Sequence, residues 1–212
     1  MGWLSMPRSS MGGHATPKAY LDDQYTYSRE QDGGGTRGAR VIASACPGNR
    51  AWYAAVELLE NGVATSVIAV ICEVRWTPNA ADGYVFAYKD MTENAGPCSD
   101  ECPERILRLL PATDNEGALD WRRRCLARLR QRARRIDDGM RVRFPVPIRF
   151  EDGHSGTEFI VVKRGSRITV RCASGFGHYR IRNFRDLPWT VVPVTKVHAT
   201  VFAKSPASAM PA

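Results

Sequence analysis

Apolar residues run in short blocks or alternate with polar ones through the first ninety positions. They then recur at helical spacing from residue 103. Arg40–Cys46, Ala51–Leu59, Ala64–Trp76 and Gly83–Lys89 read as strands, rich in Val, Ile, Ala and aromatic residues. Asn61-Gly62 between the second and third is a strong hairpin signal, and a further turn is expected at Pro78–Asp82. The nearly continuous apolar run Val67–Cys72 implies a sheet buried on at least one face. Upstream, Tyr25-Thr26-Tyr27 resembles a strand, Gly33-Gly34-Gly35 a loop, and Thr16-Pro17 the capped start of a short helix. Pro103 begins a helix with Ile106, Leu107, Leu109 and Leu110 as its apolar residues, and Pro111 stops it. Thr113 and Glu116 match a capping box. The helix it opens is expected to run to about Arg135, with Ala118, Trp121, Cys125, Leu129, Ala133 and Ile136 on one core-facing stripe and Asp137-Asp138-Gly139 as its end.

The last third returns to strands. Arg141–Phe150, Glu158–Lys163, Arg167–Cys172, His178–Ile181 and Pro188–Val192 are separated by turns at Asp152-Gly153, Arg164-Gly165-Ser166 and Ser174-Gly175. Five short strands in so little chain predict a small barrel of SH3-like size. The expected fold class is therefore α+β: an N-terminal antiparallel sheet with one or two packed helices over residues 1–138, a small C-terminal SH3-like β-barrel over 139–195, and a disordered Pro/Ser/Ala tail over 196–212. No apolar run approaches the roughly 20 residues of a spanning helix, so no membrane partner is expected. No secretory signal opens the chain, and the expected setting is cytoplasmic, where its six cysteines stay reduced.

Charge sharpens the picture once it is divided. Of the formal net charge of +8, residues 1–120 contribute −6, residues 121–135 +8 with eight arginines and no acid, and residues 136–212 +6. On a helix, Arg123, Arg130 and Arg134 form one row and Arg124, Arg128 and Arg135 another, flanking the face opposite the apolar stripe. Like charges at this spacing repel by a few tenths of a kcal/mol per pair, so a counter-charge is expected nearby. Three sources are open: a nucleic-acid backbone, an acidic or nucleoprotein partner, or the chain's own acidic half. In the last third, His178-Tyr179-Arg180-Ile181-Arg182-Asn183-Phe184-Arg185 interleaves aromatic and basic residues. It suits base stacking and phosphate contact through Tyr179, Arg180, Arg182 and Arg185, or equally an edge strand with alternate core residues.

Other polar constellations are weaker. Lys89, Asp90 and Glu93 follow the fourth strand, and with His14 they form a possible polar site, although neighbours on a strand point to opposite faces. Gly12 and Gly13 ahead of the Thr16-Pro17 helix start make a possible anion nest. Cys98 and Cys102 form one close thiol pair without the second pair a zinc site needs, which favours packing or redox chemistry over metal. No phosphate-binding loop, dinucleotide fingerprint, nucleophile elbow or His-Glu-x-x-His occurs, so no catalytic residue, metal or cofactor is assigned.

Several segments together resemble a bacterial domain family of unknown function carried on proteobacterial chromosomes, plasmids and phages. They are Met1-Gly2-Trp3-Leu4, Gly13–Asp22, Tyr53–Glu57, Gly83–Met91, Cys102–Leu107, Trp121-Arg122 and Tyr179–Asn183, a resemblance running from Met1 to about Trp189. The resemblance implies a bacterial cytoplasmic setting and carriage on mobile elements, and it transfers no activity. The expected function is non-enzymatic binding of nucleic acid or a nucleoprotein complex through the arginine rows and the barrel. The alternatives are a mobile-element-encoded inhibitor of a host defence protein, of anti-restriction or anti-CRISPR type, and an enzyme on the N-terminal sheet.

Overall fold

Ala51, Tyr53 and Ala55 alternate with Trp52, Ala54 and Val56, so a strand made of them has no polar face to offer water. The fold covers both faces. The computed structural model describes residues 3–80, 83–95, 99–172 and 177–193. Its elements are β1 (Trp3–Pro7), α1 (Pro17–Gln24), β2 (Tyr27–Glu30), β3 (Thr36–Ala45), β4 (Ala51–Glu60), β5 (Val63–Glu73), β6 (Arg75–Ala80), β7 (Gly83–Thr92), α2 (Glu104–Leu107), α3 (Glu116–Ala133), β8 (Arg141–Arg149), β9 (Ser155–Arg164), β10 (Arg167–Cys172), β11 (His178–Tyr179) and β12 (Thr190–Val191). The chain is mixed α+β and divides into two compact units, Met1–Arg134 and Arg135–Ala212.

In the first unit an antiparallel sheet runs β1-β7-β5-β4-β3-β2, with β6 also paired to β7. Met11, Tyr20, Leu21, Trp52, Ala54, Val56, Val70 and Cys72 form a core on one face, with α1 upon it. Tyr53, Ala55, Ala69, Ile71, Met91, Ile106, Leu107, Trp121 and Cys125 form a core on the other, under α2 and α3. The hairpin expected at Asn61-Gly62 is present. Both residues take positive φ, Glu60 pairs with Val63, and the Asn61 side chain accepts a hydrogen bond from the Thr36 backbone N–H at 2.8 Å, tying the turn to β3. Thr16 caps α1 by accepting from the Ala19 N–H, and Pro17 occupies the first helical position, as the sequence predicts.

The sequence pattern assigns no element to Trp3–Pro7, which is a strand paired antiparallel with β7. Four local expectations are corrected. The long strand expected over Ala64–Trp76 ends its pairing with β4 at Val74, whose N–H donates to the Arg50 carbonyl in the same register, and the chain beyond it, β6, pairs with β7 instead. The cap of α3 is Asn115, which accepts from the Ala118 N–H at 2.9 Å; Thr113 instead accepts from the Asn115 N–H. That helix ends at Ala133, where Arg134 turns extended, so Arg134 and Arg135 leave the rows drawn for them. Ile136 is a core residue of the second unit rather than the last member of the stripe. The turn at residues 81–82 and the tail 196–212 lie outside the described residues.

The second unit is one antiparallel sheet in the order β11-β10-β9-β8-β12. Its core holds Val142, Phe144, Phe159, Val161, Val170, Phe184 and Trp189. Pro145 and Pro147 cannot donate to a ladder, and the β8–β9 register breaks between Arg143 and Ile148, around them. Among the described residues no helix is long and apolar enough to cross a membrane.

One ion pair anchors α3 to the end of β7. Arg122 donates to both Glu93 carboxylate oxygens, at 2.8 and 2.6 Å, and to the Pro111 carbonyl at 2.7 Å. Its side chain is 17% exposed and that of Glu93 9%. Removing one partner strands a buried charge, whereas removing both does not. Glu93→Gln is therefore expected to lower unfolding free energy by about 3 kcal/mol in urea titrations, with a smaller loss in the double variant Glu93→Gln/Arg122→Met. Asn61→Ala, which puts a residue less tolerant of the left-handed conformation than Asn at φ 52° and deletes the bond to Thr36, is expected to cost about 1–2 kcal/mol in the same measurement.

Candidate functional site

Most of the guanidinium groups of α3 are met from inside their own unit. Besides Arg122 on Glu93, Arg128 donates to Asp100 at 2.8 Å and to Glu101 at 2.5 Å, with its side chain 29% exposed. Arg123 and Arg124 share Asp120, one helical turn earlier, at 3.2 and 3.0 Å. Beyond the helix, Arg135 donates to Asp137 at 2.9 Å, which holds its guanidinium more firmly protonated than usual, and Arg134 is not free either. Of the expected binding set on this segment, Arg130 alone is exposed and without a partner among the described residues. The acidic front half thus supplies most of the counter-charge that this helix needs.

The four polar residues singled out for an enzymatic site are parted by the sheet. Asp90 lies on the α1 face, where it accepts from the Tyr25 hydroxyl at 2.9 Å. Tyr25 in turn stacks on Trp52, and burial is the main reason its hydroxyl is pushed far above the usual tyrosine range. Lys89 alternates with Asp90 and shares the opposite face with Met91, on the α3 side. Glu93 is enclosed by Arg122, and His14 pairs with Asp23 at 3.5 Å beside α1. Cys102 is buried ahead of α2, outside any helix, and burial pushes its thiol well up; Cys98 lies outside the described residues. Among the described residues no three of His, Cys, Asp and Glu gather as a metal site would need.

Unpaired charge collects instead in the second unit. Arg149, Arg164, Arg167, Arg171, Arg180 and Arg182 are exposed and have no partner among the described residues, while Arg143 pairs with Glu158. No Asp or Glu follows Asp186 in the sequence. Strand alternation explains the placement. Ile168, Val170 and Cys172 of β10 point into the core, so Arg167, Thr169 and Arg171 point out. Arg164 stands directly opposite Arg167 across the Gly165-Ser166 turn, and Arg171 opposite His178. Like charges in register across a hairpin are unfavourable, so this face is built at an electrostatic cost. Arg164, Arg167, Thr169, His178 and Arg180 line an open cleft of about 410 Å³ that has no carboxylate.

On its other side β11 borders a second cleft, of about 460 Å³, lined by Arg149, Phe150, Glu151, Asp152, His178, Tyr179, Arg180 and Arg182. Tyr179 stacks on Phe150 with ring centroids 3.9 Å apart and donates its hydroxyl to Asp152 at 2.9 Å. Asp152 also accepts the His154 backbone N–H at 2.9 Å; that bond first, and the Tyr179 hydroxyl second, hold its carboxyl below the usual value. Cys172 Sγ lies 2.7 Å from His154 Nε2. Burial pushes the thiol above its usual value, which works against the thiolate that a nucleophilic pair needs. Tyr179, Arg180 and Arg182 line this cleft together, whereas Arg185 lies in a turn of its own, half-buried and not free. Sequence reasoning missed Arg149, Arg164, Arg167 and Arg171. The readable signal was the pair of arginines flanking Gly165-Ser166, which any two-residue hairpin brings face to face.

Among curated proteins and among solved structures nothing matches this chain. The front-half segments that carry part of the family resemblance fall outside the family match over residues 112–184. Over residues 112–184, which take in α3 and β8–β11 and so include Trp121-Arg122 and Tyr179–Asn183, the chain matches the Domain of unknown function (DUF6927), a match that spans about a third of the chain.

Proposed function

We propose that this chain is a non-enzymatic nucleic-acid-binding protein, acting in the cytoplasm, whose contact surface is the arginine face of the C-terminal unit. The observation that carries the reading is the set of six exposed arginines in that unit with no carboxylate to meet them, three of them lining one acid-free cleft. A phosphodiester backbone supplies repeated negative charge along a line, which suits Arg164, Arg167 and Arg180 beside β10 and β11 better than a single small anion does. Phosphate contacts of this kind position a strand without reading its sequence. The same reading takes the five C-terminal strands as a small SH3-like barrel, with the exposed face of β9–β11 as its binding side. The exposed Arg130 and the Asp120-sharing pair Arg123 and Arg124 of α3 are secondary in this account, because most of that helix's charge is met internally.

The test is the salt dependence of binding, read by fluorescence anisotropy of an end-labelled single-stranded 20-mer. Affinity is expected to fall steeply as salt rises. Arg164→Gln/Arg167→Gln/Arg180→Gln is expected to reduce the slope of log K against log salt by about 2, as loss of about three phosphate contacts to a single strand requires. Arg123→Gln/Arg124→Gln/Arg130→Gln is expected to leave that slope nearly unchanged. A slope that survives the first triple substitution, or falls only with the second, overturns the assignment.

A further inference from the structure

The two clefts that flank β11 differ in chemistry, and the difference has a functional meaning. One is lined by Arg164, Arg167, Arg180, His178 and Thr169 and has no carboxylate. The other shares His178, Tyr179 and Arg180 but adds an aromatic wall and two acids, Glu151 and Asp152. Phosphate recognition does not explain carboxylates in such a place, since they repel it.

The acids differ from each other. Asp152 is committed within the protein, accepting the His154 N–H and the Tyr179 hydroxyl. Glu151 is exposed on the same cleft and has no partner among the described residues, although Arg149, Arg180 and Arg182 line that cleft with it and are themselves unpaired. The wall beside it is rigid, because Phe150 and Tyr179 stack at 3.9 Å and the Tyr179 hydroxyl is tied to Asp152. Aromatic rings, a carboxylate with free acceptor oxygens and guanidinium groups at the rim are the three groups that hold an unstacked nucleotide: rings for the base face, the acid for base N–H groups, arginines for the phosphates. The cleft, at about 460 Å³, falls in the range of small-ligand sites.

We infer that this second cleft is a nucleobase pocket that selects guanine, while the acid-free cleft across β11 holds the adjoining phosphates. The inference deepens the nucleic-acid reading and rests on it. Guanine is favoured because its Watson–Crick edge presents two adjacent donors, N1–H and the 2-amino group, which match the two oxygens of Glu151. Adenine and cytosine place a ring-nitrogen lone pair beside their amine, facing the second oxygen, and uracil offers one N–H between two carbonyls. The strand would then carry little sequence preference along its backbone and one preferred base at the cleft.

The test uses the full chain and four labelled single-stranded nonamers, made in RNA and in DNA. Each is a run of uridine, or thymidine in DNA, with guanine, adenine, cytosine or the parent base at the centre. Anisotropy at about 50 mM salt, low enough to favour phosphate contacts, is expected to show the guanine nonamer bound about tenfold tighter than the others. Glu151→Gln replaces one acceptor oxygen by a donor at an exposed position. It is expected to bring the four within about twofold, with adenine and cytosine gaining relative to guanine. Equal binding of the four by the unaltered protein, or a guanine preference that persists in Glu151→Gln, overturns the base pocket while leaving strand binding intact. If none of the nonamers binds, the nucleic-acid reading falls with it.

Discussion

A guanidinium group drawn out of water against a protein core needs a negative neighbour, and this chain distributes its carboxylates unevenly enough for that need to separate its two units. In the first unit the acids are placed to meet the arginines of α3: Glu93 at the end of β7, Asp100 and Glu101 ahead of α2, and Asp120 on the helix itself. The Arg122–Glu93 pair is the most enclosed of these. Helix α3 buries Ala118, Trp121 and Cys125 against the sheet, and Arg122 fixes the same helix to β7 and to the loop before it. Dense positive charge in this helix is thus largely a feature of its packing. In the second unit the acids run short, and the arginines of the β9–β10 hairpin and those that follow β11 face solvent uncompensated.

The secondary structure of the second unit turns that shortage into a surface. A two-residue turn at Gly165-Ser166 sets Arg164 opposite Arg167, and period-two alternation puts Arg167, Thr169 and Arg171 on one face while Ile168, Val170 and Cys172 fill the core. Strand β11 is short and lies at the sheet's end, so Tyr179 reaches the core side and His178 the outer side within two residues. Two clefts of different chemistry therefore share one strand as their common wall. Asp152 stiffens the wall by accepting both a backbone N–H and the Tyr179 hydroxyl, which leaves Glu151 as the acid still open to a ligand.

Much of the fold was legible from local rules. Hairpin chemistry at Asn61-Gly62, the Thr16-Pro17 helix start, the Ala118-Trp121-Cys125 stripe and the strands of the last third each follow from residue type and spacing, because each is settled within a few residues of chain. What escaped was settled at long range or between near-equal local choices. Trp3–Pro7 becomes a strand only because β7 offers it an edge, and Asn115 rather than Thr113 caps α3, one short polar residue prevailing over another nearby. Ile136 keeps helical spacing in sequence but serves a different core, since the helix ends at Ala133.

The candidate site shows the same division more sharply. Residue order established that arginines are abundant at 121–135 and interleaved with aromatics at 178–185, and therefore that an anion-binding surface was worth seeking. It could not say which of them were spare, since Arg128 meets Asp100 and Glu101 across 27 or 28 positions of sequence, and Arg122 meets Glu93 across 29. Coulomb attraction and desolvation depend on distance in space. Folding therefore selected the free arginines, and it gathered Arg149, Glu151, Arg180 and Arg182 around a single cleft.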